Sequence, residues 1–325
     1  MPKITMVEAI NRAQAWELEQ DPNVVVLGED VGVNGGVFRA TAGLQERFGT
    51  LRVQDTPLAE GMIAGLAIGM AGQGLRPVAE IQFMGFIYPA MDQIANHMAR
   101  MRNRTRGRIT LPLVMRMPHG GGIHAPEHHS ECLEAMLAHH PGLRVVCPSS
   151  PARAYGLLLA AIREPDPVIF LEPVRLYRLL KQEVADDGQA LALDTCYRLR
   201  EGDDVTLVTW GAMTIETLKA AEQLQLEGIG CEVIDLATIA PIDHDTILES
   251  LARTGRLVIV HEAPRNCGVG AEIAAHVAEH GLYDLEAPVQ RVTGYDTIIP
   301  LAPLEYDYIP SVARIVDAVH ATLAA

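Results

Sequence analysis

"AEGMIAGLAIGMAGQGLRPVAEIQFMGFIYPAMDQI", Ala59 to Ile94, is the stretch whose reading decides the fold. Residues 59 to 73 carry a helix pattern in which Gly61, Gly65 and Gly69 recur every four positions beside Ala64, Ala67 and Ala71. A short apolar run follows, "RPVAEI" from Arg76 to Ile81, too brief for a helix and bounded by Gly74. An aromatic turn then leads into a second helix pattern over residues 86 to 102. Helix, near-continuous apolar strand and helix again imply a parallel sheet covered on both faces.

The same alternation extends outward in both directions. Strands are expected at Val24–Gly28, Leu113–Pro118, Arg144–Pro148 and Pro167–Glu172, with further helices over residues 130 to 139 and 151 to 164. The polar stretch "KQEVADDGQA", Lys181 to Ala190, interrupts the pattern and reads as an exposed linker. After it the alternation restarts through strands Val205–Gly211, Cys231–Leu236, Arg256–Ala263 and Gln290–Gly294, with helices over 213 to 227, 243 to 253, 269 to 280 and 310 to 323. The expectation is two doubly wound α/β domains, residues 1–188 and 189–325.

A glycine in a helix interior costs roughly 0.5 to 1 kcal/mol against alanine, so three of them imply that another backbone comes close. That backbone belongs either to the chain's own sheet or to another subunit. The spacing resembles the G-x-x-x-G of membrane helices, but the uncharged run is too short to span a bilayer.

Composition sets bounds on function. With 325 residues and 49% hydrophobic content the chain can fill two cores without staples. A formal net charge of -15 and only 5% aromatics argue against nucleic acid and leave room for a basic protein partner or for no partner at all. Five scattered cysteines form no C-x-x-C and read as small core residues in a reducing compartment. The start "MPKITMVEAINRAQ" has neither an apolar signal core nor an Arg/Ser-rich transit character, so the expected location is the cytoplasm, with no membrane.

Three places carry chemistry. In "DTPLAEG", Asp55 to Gly61, Pro57 fixes a turn and Glu60 enters the first turn of the helix. There it serves as a charge favoured by the helix dipole or as a catalyst, and by spacing alone the first reading is the stronger. The aromatic turn at Phe83, Phe86 and Tyr88 follows a parallel strand, where open α/β sheets place ligands; a flat ring there is either core or a platform for a flat cofactor. The stretch "HGGGIHAPEHHSE", His119 to Glu131, sets histidines on a loop broken by glycines and Pro126. The fourfold spacing of His124 and His128 would suit a metal only on a helix, which leaves surface histidines or a proton donor and acceptor near neutral pH. No G-x-G-x-x-G, P-loop, G-x-S-x-G or G-D-G motif is present. A ring site without a phosphate or magnesium motif reads as half of an active site.

The set "GEDVG" (Gly28 to Gly32), "GGVFRATAGL" (Gly35 to Leu44), "DTPLAE" (Asp55 to Glu60), "AEIQF" (Ala79 to Phe83), "HHSE" (His128 to Glu131), "HPGLRVVCPSSP" (His140 to Pro151) and "DPVIFLEPVRLYR" (Asp166 to Arg178) resembles one family over essentially the whole chain. It is the beta subunit of the thiamine-diphosphate-dependent decarboxylase component of 2-oxo acid dehydrogenase complexes. Bacterial pyruvate dehydrogenase members are the nearest in pattern and branched-chain 2-oxo acid members come second. The resemblance implies a pyrimidine-binding domain followed by a transketolase C-terminal-like domain. It implies an α2β2 heterotetramer in which the alpha subunit holds Mg2+ and the diphosphate, with the shared cofactor at the interface. The implied activity is oxidative decarboxylation of a 2-oxo acid and reductive acylation of the lipoyl domain of a dihydrolipoyl acyltransferase core, whose subunit-binding domain docks on the C-terminal domain.

Carried onto this sequence, the resemblance makes Glu60 the carboxylate that hydrogen-bonds the cofactor's pyrimidine, with the Leu58 backbone facing the ring, Phe86 stacking on it and Gln82 lining the pocket. His129, rather than its neighbour His128, becomes the histidine that assists acyl transfer. Glu131 stands where the family commonly has glutamine. Some members bind a potassium ion through backbone carbonyls that match Leu113, Ala161, Ile162, Glu164 and Asp166. The rival from another class is a non-catalytic docking subunit, against which the joint presence of Glu60, Phe86 and His129 argues.

Overall fold

A computed structural model describes residues 2–325. The first domain begins with β1 (Lys3–Ile4) and α1 (Met6–Gln20), whose start is fixed by a capping box between Thr5 and Glu8. It continues through β2 (Val24–Gly28), α2 (Leu44–Phe48), β3 (Val53–Asp55), α3 (Glu60–Gly72), β4 (Arg76–Glu80), α4 (Met101–Arg104), β5 (Val114–His119), α5 (Glu134–Ala138), β6 (Arg144–Val146), α6 (Pro151–Arg163) and β7 (Val168–Pro173). After β8 (Gln182–Glu183) the second domain runs through β9 (Tyr197–Arg200), β10 (Val205–Thr209), α7 (Met213–Leu226), β11 (Cys231–Asp235), β12 (Thr238–Ala240), α8 (His244–Thr254), β13 (Leu257–Pro264), α9 (Val269–His280), β14 (Gln290–Gly294), α10 (Glu305–Tyr308) and α11 (Val312–Leu323).

The first sheet has the order β12-β6-β7-β5-β4-β2-β3 and is parallel except at β12. Its central strands are largely apolar because both faces are covered, with Glu80, Arg116 and Glu172 as buried exceptions. Successive side chains nevertheless divide between the faces with period two. Val24, Val26, Val78, Val114 and Phe170 pack under α1 and α6. Leu27, Ala79, Met115, Ile169 and Leu171 face the other way, into a core shared with Trp210, Ile234, Ile247, Ile259 and Ile273 of the second domain. The second sheet, β14-β13-β10-β11-β9, is parallel except at its β9 edge and has α7 and α11 on its far face. The two domains therefore share one central core. β12, which follows β11 in sequence, adds antiparallel to β6 of the first sheet and ties the domains together.

Three local expectations change. The helix expected over residues 86 to 102 is broken into 3-10 turns at Met84–Phe86 and Tyr88–Ala90, a π-helix at Gln93–Met98 and the short α4, with Pro89 in the second turn. The helix expected over 130 to 139 is reduced to α5; ahead of it Leu133 gives its N–H to Met84 Sδ at 3.2 Å. The stretch from Lys181 to Ala190 is not a free linker. Gln182 and Glu183 pair with β1, Val184 is buried, and Gly188 lies against Trp16 while giving its N–H to Tyr155 Oη.

Candidate active site

Parallel strands point one way, so the turns after β2, β3, β4 and β5 open on one edge of the sheet. Two carboxylates meet there. Glu60 is the first residue of α3, and Glu29 follows β2; burial, with Asp30 and Glu60 nearby, raises the pKa of Glu29. Beside them Asp55 accepts the Gly32 N–H at 2.6 Å and fixes the loop that follows Glu29. Leu58 is 70% exposed, and nothing in the chain covers it.

The aromatic turn forms the next wall. Phe83 is buried and Phe86 half-buried, with Gln82 just before them in the turn past the end of β4. His129 sits edge-on to both rings, 4.4 Å from Phe83 and 5.2 Å from Phe86 between centroids. Phe83 is backed in turn by Phe38, which packs on Tyr177. Contact of the two loops depends on Gly85, since a Cβ there would lie 1.9 Å from the His128 carbonyl oxygen. The start of α3 meets the same turn, where a Cβ on Gly61 would stand 3.1 Å from the Pro89 oxygen. The structure thus brings Phe86 and His129 together and sets the helix of Glu60 beside their turn. Burial, reinforced by His128, lowers the pKa of His129 against the opposing pull of Glu127, and its buried Nδ1 has no hydrogen-bond partner.

The glycines of the histidine loop have a use that spacing did not show. Gly121 gives its N–H to Glu262, Gly122 to Glu305 at 2.6 Å, and His124 to Glu305 at 3.0 Å. Gly122 has φ +87°, and a Cβ there would meet Arg175 at 2.4 Å. Two carboxylates of the second domain therefore anchor a loop of the first. His124 and Glu305 stand 3.9 Å apart, and His128 remains exposed.

Beneath the site, on the α1 side of the sheet, Arg116 of β5 is 1% exposed. It gives two hydrogen bonds to Glu172 of β7, at 2.7 and 3.0 Å, and one to Glu80 of β4 at 2.9 Å. Burial opposes its charge, but Glu172 and Glu80 hold its pKa above the ordinary range. Tyr177 donates its hydroxyl to Glu172, so three neighbouring strands and the backing of Phe38 are joined by one polar network.

Of the expected potassium carbonyls, those of Ile162, Glu164 and Leu113 have hydrogen-bond partners near the end of the sheet opposite the site. Arg76 gives hydrogen bonds to the oxygens of Ile162 at 2.9 Å and Glu164 at 3.4 Å, and Leu113 accepts the Val168 N–H.

The transketolase pyrimidine-binding domain family matches residues 2–179, and the transketolase C-terminal domain family matches residues 194–315. The pyruvate dehydrogenase E1 component subunit beta of Bacillus subtilis is 50% identical over 311 residues, covering 96% of each chain. The protein of the same name from Staphylococcus epidermidis is 50% identical over 323 residues, covering 99% of each. The chain belongs to the pyruvate dehydrogenase E1 beta subunit family. A solved structure described as a split gene transketolase, inactive beta4 tetramer, matches with a TM-score of 0.82 at 25% identity, covering 99% of both chains.

Within this family fold, sequence reasoning missed Glu29, Glu262 and Glu305. Glu29 lay in the quoted "GEDVG" but gave no periodic signal. Glu262 and Glu305 lie 141 and 183 residues from the glycines they hold, a distance at which local spacing says nothing. The glycine face of α3 is also informative. Ile63, Ala64, Ala67 and Ala71 pack inward, while a Cβ on Gly65 or Gly69 would meet nothing within 4 Å and Met62 is 42% exposed. No helix among the described residues is long and apolar enough to cross a membrane.

Proposed function

We propose that this chain supplies the pyrimidine-side half of a pyruvate dehydrogenase active site, completed by an alpha subunit in an α2β2 heterotetramer in the cytoplasm. The observation that carries the reading is a one-sided site. Glu29, Glu60, Phe86 and His129 line one edge of a parallel sheet, and the neighbouring Leu58 and Met62 lie open to solvent. A wall with no opposite wall suits a cofactor shared between two chains. We place the boundary between the pyrimidine-binding and transketolase C-terminal-like domains at residues 188 and 189.

Thiamine diphosphate, when bound, supplies the carbon nucleophile on which a 2-oxo acid loses carbon dioxide; its diphosphate and Mg2+ belong to the alpha subunit. The residues present fit its pyrimidine. Glu60 would place its carboxylate at the ring nitrogen and hold or give up a proton there, beside Glu29, whose own pKa burial raises. Phe86 offers a flat face to the ring, the Leu58 backbone borders it, and Gln82 lines the pocket. His129, with its buried Nδ1 free, holds or moves a proton while the acyl group passes to a lipoyl domain of the dihydrolipoyl acyltransferase core. Potassium at Leu113, Ala161, Ile162, Glu164 and Asp166 is a structural proposal only and enters no step.

The test is co-expression with the alpha partner, followed by decarboxylation of pyruvate and of 2-oxoisovalerate with and without thiamine diphosphate and Mg2+. Cofactor-dependent turnover with preference for pyruvate supports the reading, and preference for the branched acid transfers it to the branched-chain enzyme. Glu60→Ala should abolish turnover in an intact heterotetramer. Unchanged turnover would remove the role given to Glu60.

A further inference from the structure

The loop that carries His129 begins and ends on a group of donor atoms that the proposed reaction does not use. His119, the last residue of β5, is 6% exposed, and Glu134, the first residue of α5, is 1% exposed. Cys132 is half-buried beside them. An imidazole nitrogen, the Cys132 sulfur and a Glu134 carboxylate oxygen all lie within 4.8 Å of one another.

Both buried residues have one polar atom held and the other free. His119 Nε2 stands 3.2 Å from Cys147 Sγ, and its Nδ1 has no partner. Glu134 Oε1 accepts the Trp210 indole N–H at 3.4 Å, and its Oε2 has none. Buried polar atoms are rarely left unpaired, because each forfeits about 1 to 3 kcal/mol of solvation. Two such atoms on residues gathered about a thiol, each group held by a neighbour at its other polar atom, describe a set of ligands prepared for something between them.

We propose that His119, Cys132 and Glu134 bind a zinc ion. One nitrogen, one sulfur and one carboxylate oxygen match the ligand preference of zinc, whereas magnesium and calcium take oxygen ligands almost alone. A four-coordinate zinc with bonds of roughly 2.0 to 2.3 Å draws its ligands to within about 4 Å of one another, a small contraction of the present cluster. The thiolate and carboxylate charges balance the dication, and water takes the fourth position. Cys132 also lines a surface cleft of about 430 Å³ with Ile299, Asp296 and Tyr308, which gives the ion a way in from solvent. Cys147 and Trp210 act behind the ligands, orienting the imidazole and the carboxylate.

The consequence is structural. His119 and Glu134 bracket the glycines and the histidines, so an ion joining them closes the loop at its base and restricts His129 without touching the cofactor. The Glu262 and Glu305 contacts anchor the same loop near its first turn, and the zinc site fixes its two ends.

The test uses the full chain freed of metal by a chelator and titrated with cobalt(II), then with zinc(II). One equivalent of cobalt should give a near-ultraviolet thiolate charge-transfer band with strong visible bands of tetrahedral type, and zinc should displace it. Cys132→Ser should lose the charge-transfer band, and His119→Phe should lose stoichiometric binding. Cys147→Ala should weaken binding roughly 10- to 100-fold, as expected for a group behind a ligand. Cys267→Ser, at an exposed cysteine elsewhere, should change nothing. Zinc should raise the melting temperature of the unsubstituted chain and leave that of Cys132→Ser where it was. Absence of one-to-one binding against a competing chelator, or a cobalt band that survives Cys132→Ser, overturns the proposal. If His119→Phe fails to fold, the half-buried Cys132→Ser still decides the matter.

Discussion

Gly85→Ala tests the seat of His129 with a single methyl group. The new Cβ would lie 1.9 Å from the His128 carbonyl oxygen, 2.9 Å from its carbon and 3.1 Å from Glu131 Cγ. Ordinary contact begins near 3.4 Å, so the two loops must separate by about 1.5 Å. The histidine loop cannot simply slide, because Glu262 and Glu305 hold its first turn. Overpacking of this kind costs about 1 to 3 kcal/mol. A displacement near 1 Å at a reacting group can cost on the order of 100-fold in rate. The assay pairs urea unfolding of the chain with lipoyl acetylation by the heterotetramer. Gly65→Ala is the matched control: its Cβ meets nothing within 4 Å, and the substitution should stabilise the isolated chain by about 0.5 to 1 kcal/mol. If Gly85→Ala keeps full acetylation and unchanged stability, His129 is not positioned by this contact.

His129→Ala should impair lipoyl acetylation more than oxidation by an artificial electron acceptor, and equal loss in both assays would count against acyl transfer. Since burial lowers the pKa of His129, its ring stays neutral at pH 7 and any acid limb it causes in the rate profile should lie below pH 6.5. Arg116→Ala leaves Glu80 and Glu172 buried without their cation and should cost about 3 to 5 kcal/mol by urea unfolding; a loss below about 1 kcal/mol would show that the carboxylates take up protons at little cost. His261, stacked on Trp210 at 5.1 Å, has its pKa lowered to about 4 by burial, with Arg291 and Arg265 adding to the effect. The unfolded chain accepts that proton near pH 6.5, so the stability contribution is full above 6.5 and is lost as the pH falls toward 4. By pH 5 the loss should reach about 2 kcal/mol. His119 is lowered to about 4 in the same way, so His261→Phe should still lose stability between pH 7 and pH 5, but by about 2 kcal/mol less than the unsubstituted chain, and equal losses by urea unfolding would refute the assignment.

The sequence by itself determined the α/β class, most strands of both sheets and the restart after residue 190, because period and turn chemistry are local properties of a chain; β3, β9 and β12 escaped it, and the grouping of Glu60, Phe86 and His129 came from the family resemblance rather than from spacing. It carried a signal for α1 that the strand pattern overshadowed, the capping box of Thr5 and Glu8. Tertiary structure alone decided the rest. Whether residues 86 to 102 form one helix or several short turns depends on packing around Pro89, and whether β12 joins the first or the second sheet depends on which edge is free when the domains meet. The carboxylates on the histidine loop come from 141 and 183 residues away. Such pairings follow from the closing of a shared core, and no window of sequence contains both partners.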